Sequence, residues 1–274
     1  MPQPVLSEIF IYPVKSLAGI KVSNWSVNEK GLLHDRKWML IDNNNQFLSQ
    51  RRLPKMVLIK TQITDCELIL STPSSGSISL PLDPDDGDDC KITIWNDQYS
   101  AKTTTKYADQ WLSDFLGIKC KLVYQPDDIV RAVDPDYALA TDKVNFSDGF
   151  PFLIISTASL NSLNQAMGLQ LPILRFRPNL VISNCESYAE DSWREITING
   201  IGFRLPKPCS RCSVPTIDIE TAQTNKEPLT TLNRLRKWNK HVYFGQNALH
   251  NSQGELRIGH TIEINQTGSR QPPL

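Results

Sequence analysis

From residue 5 to about residue 100, short apolar or alternating runs recur at LSEIFIYPV, VSNWSV, DRKWMLID, QFLSQ, LIKTQIT, CELILST, SISLPL and CKITIW. Asn, Gly, Pro and Asp cluster between them, and DNNNQ at 42–46 reads as a hairpin loop. Short strands punctuated in this way predict a β-barrel or sandwich rather than alternating strands and helices.

The period changes at TTTKYADQWLSDFLG (103–117). Here Tyr107, Trp111, Leu112, Phe115 and Leu116 share one helical face, with a threonine before it as cap and Gly117 after it. These aromatic residues are expected in the core. IKCKLVYQP then predicts a strand, and residues 126–150 a long irregular connection of the kind that often carries function.

PFLIISTASLNSLNQAM predicts a strand, a cap at Ser156 or Thr157, and a short helix showing Leu160, Leu163 and Met167. FRPNLVIS, REITING and IGFRLP predict strands, and SVPTIDIE is strand-like as well. PLTTLNRLRKW (228–238) predicts a helix opened by Pro228, HVYFGQNALH and ELRIGHTIEI the closing strands, and NQTGSRQPPL a loose tail. The expected fold is mostly β, of β-barrel type, with a few short helices. Two domains are expected, 1–120 and 121–274, with the boundary near residues 117–125; no repeat interrupts them.

At 274 residues with 40% hydrophobic positions, the chain can fill a substantial core. Lys and Arg number 29 and so do Asp and Glu, so no net field draws the molecule to nucleic acid or an anionic membrane. MPQPVLSEIFIYPVKS lacks the charged, apolar and small-residue order of a secretory signal, and no apolar run approaches the roughly 18 residues of a membrane span. Six scattered cysteines do not resemble a disulfide framework. A cytoplasmic, reducing compartment is expected. The acidic DPDDGDD at 83–89 fails as a calcium loop, since Asp88 stands where glycine belongs and Ile94 where glutamate belongs, and reads as a solvated turn.

The chemistry concentrates at LPKPCSRCSVPTID, where Cys209 and Cys212 stand three apart. A structural zinc needs a second such pair, a thioredoxin-type pair needs a helix N-terminus, and a plant-type iron–sulfur centre needs further closely spaced cysteines. None of these is evident. A nucleophilic cysteine needs a base that no local feature nominates. Two alternatives stay open: a pair packed as small hydrophobes, or one thiolate on a metal whose other ligands come from a cofactor, with Arg211 beside it to stabilise the thiolate.

IYPVKS (11–16), DRKWML (35–40), FSDGFPFLI (146–154), FRPNLVIS (176–183), YAEDSW (188–193), CSRC (209–212), KEPL (226–229) and FGQ (244–246) together resemble the MOSC superfamily. The resemblance is closest to members with an N-terminal MOSC β-barrel domain, the mitochondrial amidoxime-reducing component and bacterial YcbX-like proteins. It implies a molybdenum cofactor (Mo-molybdopterin) between a MOSC N-terminal domain and a MOSC domain, with Cys212 as the metal ligand and Cys209 as a neighbour. It also implies that Lys15, Ser16, Arg36, Ser147, Asp148, Gly149, Arg177, Asn179, Ser210 and Arg211 approach the cofactor, with Asp148 facing the metal as a catalytic proton relay beside Cys212. Asp191 and Trp193 are expected to be structural, and Phe244, Gly245 and Gln246 to come near the pocket.

The implied activity is reduction of small N-hydroxylated substrates: hydroxylamines, amidoximes or base analogues. Membrane-targeting extensions and C-terminal ferredoxin domains found in relatives are not seen here, so electrons are expected from a separate protein, ferredoxin-like or a b-type cytochrome with its reductase. Alternatives are a non-catalytic cofactor carrier and a sulfur carrier through a Cys212 persulfide steadied by Arg211. Pyridoxal phosphate binding attaches only to the superfamily as a whole.

Overall fold

The computed structural model describes residues 3–84 and 87–274. The first strands are β1 (Val5–Ile11), β2 (Ile20–Val22), β3 (Asn24–Asn28), β4 (Gly31–Leu32) and β5 (Trp38–Ile41). Next come β6 (Lys60–Ile63), β7 (Glu67–Thr72), β8 (Gly76–Pro81), β9 (Asp89–Ile94) and β10 (Asp97–Thr103), then helix α1 (Lys106–Leu116) and β11 (Lys121–Tyr124). After the connection come β12 (Phe152–Ser156), α2 (Thr157–Met167), β13 (Leu180–Ser183), β14 (Trp193–Ile198) and β15 (Ile201–Ser210). Helix α3 (Leu229–Leu235), β16 (Lys237–Trp238), β17 (His241–His250), β18 (Gly254–Arg257) and β19 (Ile262–Thr267) complete the chain. The protein is thus mostly β with three α-helices among the described residues, none long and apolar enough to cross a membrane.

The largest sheet runs β19-β14-β15-β17-β12-β13-β1-β2, with β16 attached to β17. Smaller sheets are β5-β11-β10-β9, β6-β7-β8 and β18-β3-β4. Hydrogen bonding crosses the expected boundary near residue 120, because β1 pairs with β13 and β3 with β18.

Burial explains the strands. Leu6, Ile9, Ile11, Phe152, Ile154, Leu180, Trp193 and Phe203 form a core within the largest sheet, while Val14, Trp38, Leu40, Leu68, Leu70 and the buried face of α1 form a second. Helix α1 starts as its sequence predicts, with Thr105 accepting from the Ala108 amide and Gly117 left-handed at φ 75. Ser156 caps α2 in the same way.

Several expectations are corrected. QFLSQ makes only isolated bridges at Gln46 and Phe47, because the chain turns back where Ser49 O accepts from the Arg52 and Leu53 amides. DQYSAKT, too polar to read as a strand, is β10, paired in register with β9. SVPTIDIE is not a strand: Val214–Thr216 is a 3-10 turn holding Pro215, which cannot donate to a ladder, and the Asp218 carboxylate then accepts from the Glu220 and Thr221 amides. Tyr107 is 70% exposed rather than in the core. The tail is docked, with the Gln271 amide donating to Asp191 O, Gln246 Nε2 donating to Gln271 O, and Pro272 buried. Of the acidic run, Asp85 and Asp86 lie outside the described residues, while Asp83 accepts from Lys37 Nζ at 2.9 Å.

Candidate functional site

Two left-handed turns bring the first cations inward. Pro13 directs the chain from β1 into a turn where the Lys15 amide donates to Trp38 O and Ser16 takes φ 68. Before β5, Arg36 takes φ 50 and its amide donates to Tyr12 O. Non-glycine residues adopt such angles when their surroundings over-determine them, as they do here. Lys15 is 5% exposed, and its Nζ donates to Phe146 O at 2.6 Å and Asp148 Oδ1 at 2.5 Å.

Arg36 Nη1 donates to Asp35 and, at 3.0 Å, to Asn179 Oδ1. The Asn179 amide is otherwise spent on Phe10 O and the Leu153 amide, so Asn179 orients Arg36. The guanidinium carbons of Arg36 and Arg177 lie 4.5 Å and 4.1 Å from the Tyr12 ring centroid. Arg177, left-handed at φ 56, donates through Nη1 to Leu17 O at 2.6 Å, while its Nη2 is buried without a partner. Burial lowers its pKa to about 10, Tyr12 opposing.

The loop at 145–148 is anchored by buried Arg131, whose Nη1 donates to Asn145 O at 2.9 Å and Ser147 O at 2.5 Å. This presents the half-exposed Asp148 carboxylate to Lys15 and to Arg51 Nη1, 3.5 Å from Oδ2. Enclosure works against the Asp148 charge, but Lys15, Arg51 and Arg36 outweigh it and hold the carboxyl well below the ordinary range. Burial lowers Lys15 to about 8 although Asp148 opposes it.

Cys209 is the penultimate residue of β15, and Cys212 lies just beyond the strand, exposed, where the Arg211 amide donates to Val242 O. The adjacent arginine does not serve the expected sulfur. Arg211 Nη1 donates to Cys209 Sγ at 3.1 Å, whereas Arg51 Nη1 reaches Cys212 Sγ at 3.7 Å. In an extended chain residues two apart share a face, which places Arg211 with Cys209. Arg211 Nε, like Arg177 Nη2, is buried without a partner.

One cavity gathers Lys15, Ser16, Arg36, Ser147, Asp148, Gly149, Arg177, Asn179, Ser210, Arg211 and Cys212 in its lining, with Cys209. Gln50 and Arg51, which the sequence does not nominate, line it as well. Gln50 is 2% exposed and donates to Ser16 O at 2.8 Å. Phe244 and Gln246 do not line it: Phe244 packs on Phe176 and Gln246 bonds to Asp191. Five cations against the carboxylates of Asp35 and Asp148 make this an anion-binding cavity, and its two unpartnered buried donors suit an anionic, hydrogen-bonding ligand. Among the described residues, no cluster of three or more His, Cys, Asp and Glu could hold a metal alone.

The family model described as "MOSC N-terminal beta barrel domain" matches residues 3–119, and that described as "MOSC domain" matches residues 141–263. "Mitochondrial amidoxime-reducing component 1" of Mus musculus is 32% identical over 94% of this chain and 82% of its own length; the Homo sapiens protein of the same name is 30% identical with the same coverage. "Molybdenum cofactor sulfurase" of Danio rerio is 32% identical over 90% of this chain, which spans only 32% of that protein. With its site drawn from both matched segments, this chain belongs to the MOSC family, in the form that carries the MOSC N-terminal domain ahead of the MOSC domain.

Proposed function

We propose that the cavity holds a molybdenum–pterin cofactor with Cys212 as its protein thiolate, and that the protein reduces N-hydroxylated compounds such as hydroxylamines, amidoximes and base analogues with electrons from a separate redox protein. The observation that carries this reading is an exposed thiol at a cavity lined by Lys15, Arg36, Arg51, Arg177 and Arg211. When bound, the group supplies a two-electron couple at a metal able to accept oxygen. The protein's part is binding, orientation and proton delivery.

Lys15, Arg36, Arg177 and Arg211 hold the anionic and polar parts of the ligand, and the free donors of Arg177 and Arg211 gain partners. Asp148, held ionised at neutral pH, keeps Lys15 in place as its hydrogen-bond acceptor, and Lys15, lowered to about 8, is the group of the pair suited to give and regain a proton. Water formation from the substrate oxygen draws its protons through this pair.

A pH dependence follows. The folded Lys15 is charged below about pH 8 and neutral above it, well short of the ordinary lysine value. Sulfate, whose charge is constant in this range, is therefore expected to bind the cofactor-free protein several-fold more weakly as pH rises through 8, read by calorimetry. Lys15→Gln should flatten the profile; an unchanged slope in that variant would assign the dependence elsewhere.

Similarity to molybdenum cofactor sulfurases and the exposure of Cys212 favour a second reading, a persulfide carrier. Protein purified from a host that makes the cofactor separates the readings. Near-stoichiometric molybdenum and pterin, with benzamidoxime turnover from reduced viologen, supports the reductase. Bound cofactor without turnover supports a carrier, and one extra sulfur atom on Cys212 without metal supports the persulfide.

A further inference from the structure

The short strand β16 branches from the largest sheet, paired among the described residues only to the start of β17. Lys237 lies opposite Val242, and Val242 O accepts from the Arg211 amide, next to Cys212. Two strand spacings therefore separate Lys237 from the cysteine segment, about 10 Å.

The hairpin surface is both basic and aromatic. Lys237, Lys240 and His241 are exposed, as is Arg234 on the preceding helix, and among the described residues Lys237, Lys240 and Arg234 form no ion pair. Trp238 is 40% exposed at its centre, resting against Tyr243 with ring centroids 6.2 Å apart. The carboxylates behind the hairpin are spent: Asp191 pairs with Arg236, and Glu227 accepts from Thr231. On the hairpin itself, residues 237–243, there is no acidic residue.

Lysines alone would serve to guard a sheet edge against pairing with another chain. A large exposed tryptophan among them does the opposite, since it adds adhesive area: Trp is enriched at interface centres, and the lysines around it suit a charged rim. In a chain of zero net charge this local excess selects an acidic partner.

We propose that the β16–β17 hairpin, with Lys237, Lys240 and Trp238, is the docking face for an acidic electron-donor protein. The proposal rests on the reductase reading for its purpose, but the contact can be measured without turnover.

The probe is a soluble, acidic two-iron ferredoxin. Calorimetric titration at low ionic strength should show binding that weakens about tenfold or more in Lys237→Glu/Lys240→Glu, and several-fold in Trp238→Ala. Raising salt should weaken the wild type and spare the charge-reversed variant. Ferredoxin-driven benzamidoxime reduction should fall in parallel, while reduction driven by viologen, a small donor needing no docking face, stays within about twofold of wild type. Absence of ferredoxin binding by the wild type, or equal binding by the variants, would overturn the docking face. A wild type that turns over with neither donor would instead overturn the reductase reading, and the titration alone would then decide the hairpin.

Discussion

Cys212→Ser is expected to lose molybdenum and turnover together, while Cys209→Ser retains most of both. Cys212 is exposed at the cavity with a guanidinium 3.7 Å from its sulfur, which leaves the sulfur open to a ligand. A serine hydroxyl stays protonated at neutral pH and offers a hard oxygen where a redox metal wants soft sulfur. Cys209 instead is half-buried at the end of a strand and accepts from Arg211 at 3.1 Å, a contact a serine oxygen preserves. Metal analysis and pterin fluorescence on both variants decide the matter. Equal losses would defeat the single-ligand assignment.

The largest effect on stability is expected from Asp191→Ala. Asp191 is 1% exposed; its Oδ2 accepts from Arg236 Nη2 at 2.6 Å and its Oδ1 from Gln246 Nε2 at 2.9 Å. Removing the carboxylate leaves the Arg236 charge, itself only 6% exposed, with just the Tyr243 carbonyl at 3.4 Å and the Tyr188 ring beside it among the described residues. Breaking a buried pair in this way costs about 3–5 kcal/mol, or a fall in melting temperature on the order of 10 °C for a chain of this length. Asp191→Asn, which keeps both acceptor and size, should lose distinctly less. A melting temperature within about 2 °C of wild type for the alanine variant would show the pair to be dispensable.

Where apolar alternation was strong and turn residues bounded it, as at LSEIFIYPV or HVYFGQNALH, the strands stand close to where the pattern predicts them. The misses have local causes. DQYSAKT buries only Ala101 fully, leaving too little apolar signal for a strand defined by its partner β9. SVPTIDIE has strand composition, but a proline and an aspartate that bonds its own following amides close it into turns.

The site divides in the same way. The residues nominated by motif resemblance converge on one cavity, yet Arg51 was invisible, since its partners Asp148 and Cys212 lie 97 and 161 residues away in sequence. Nothing in QRR distinguishes a cavity arginine from a solvated one. Adjacency misled in the other direction, for Arg211 follows the strand's alternation to Cys209 rather than to its neighbour in sequence. The docked tail was equally hidden, because its anchor is the buried Asp191.

With β1 laid between β2 and β13, and β18 bonded to β3, the two halves of the polypeptide share their sheets. Exchange of gene segments near the middle of the chain would leave unsatisfied sheet edges on both products and split the cation set of the cavity, since Lys15, Arg36 and Arg51 come from the first half and Arg177 and Arg211 from the second. A longer protein that carries this cavity by fusion needs both halves of its cation set. The match to the Danio rerio sulfurase, over 90% of this chain, has the extent that this constraint demands.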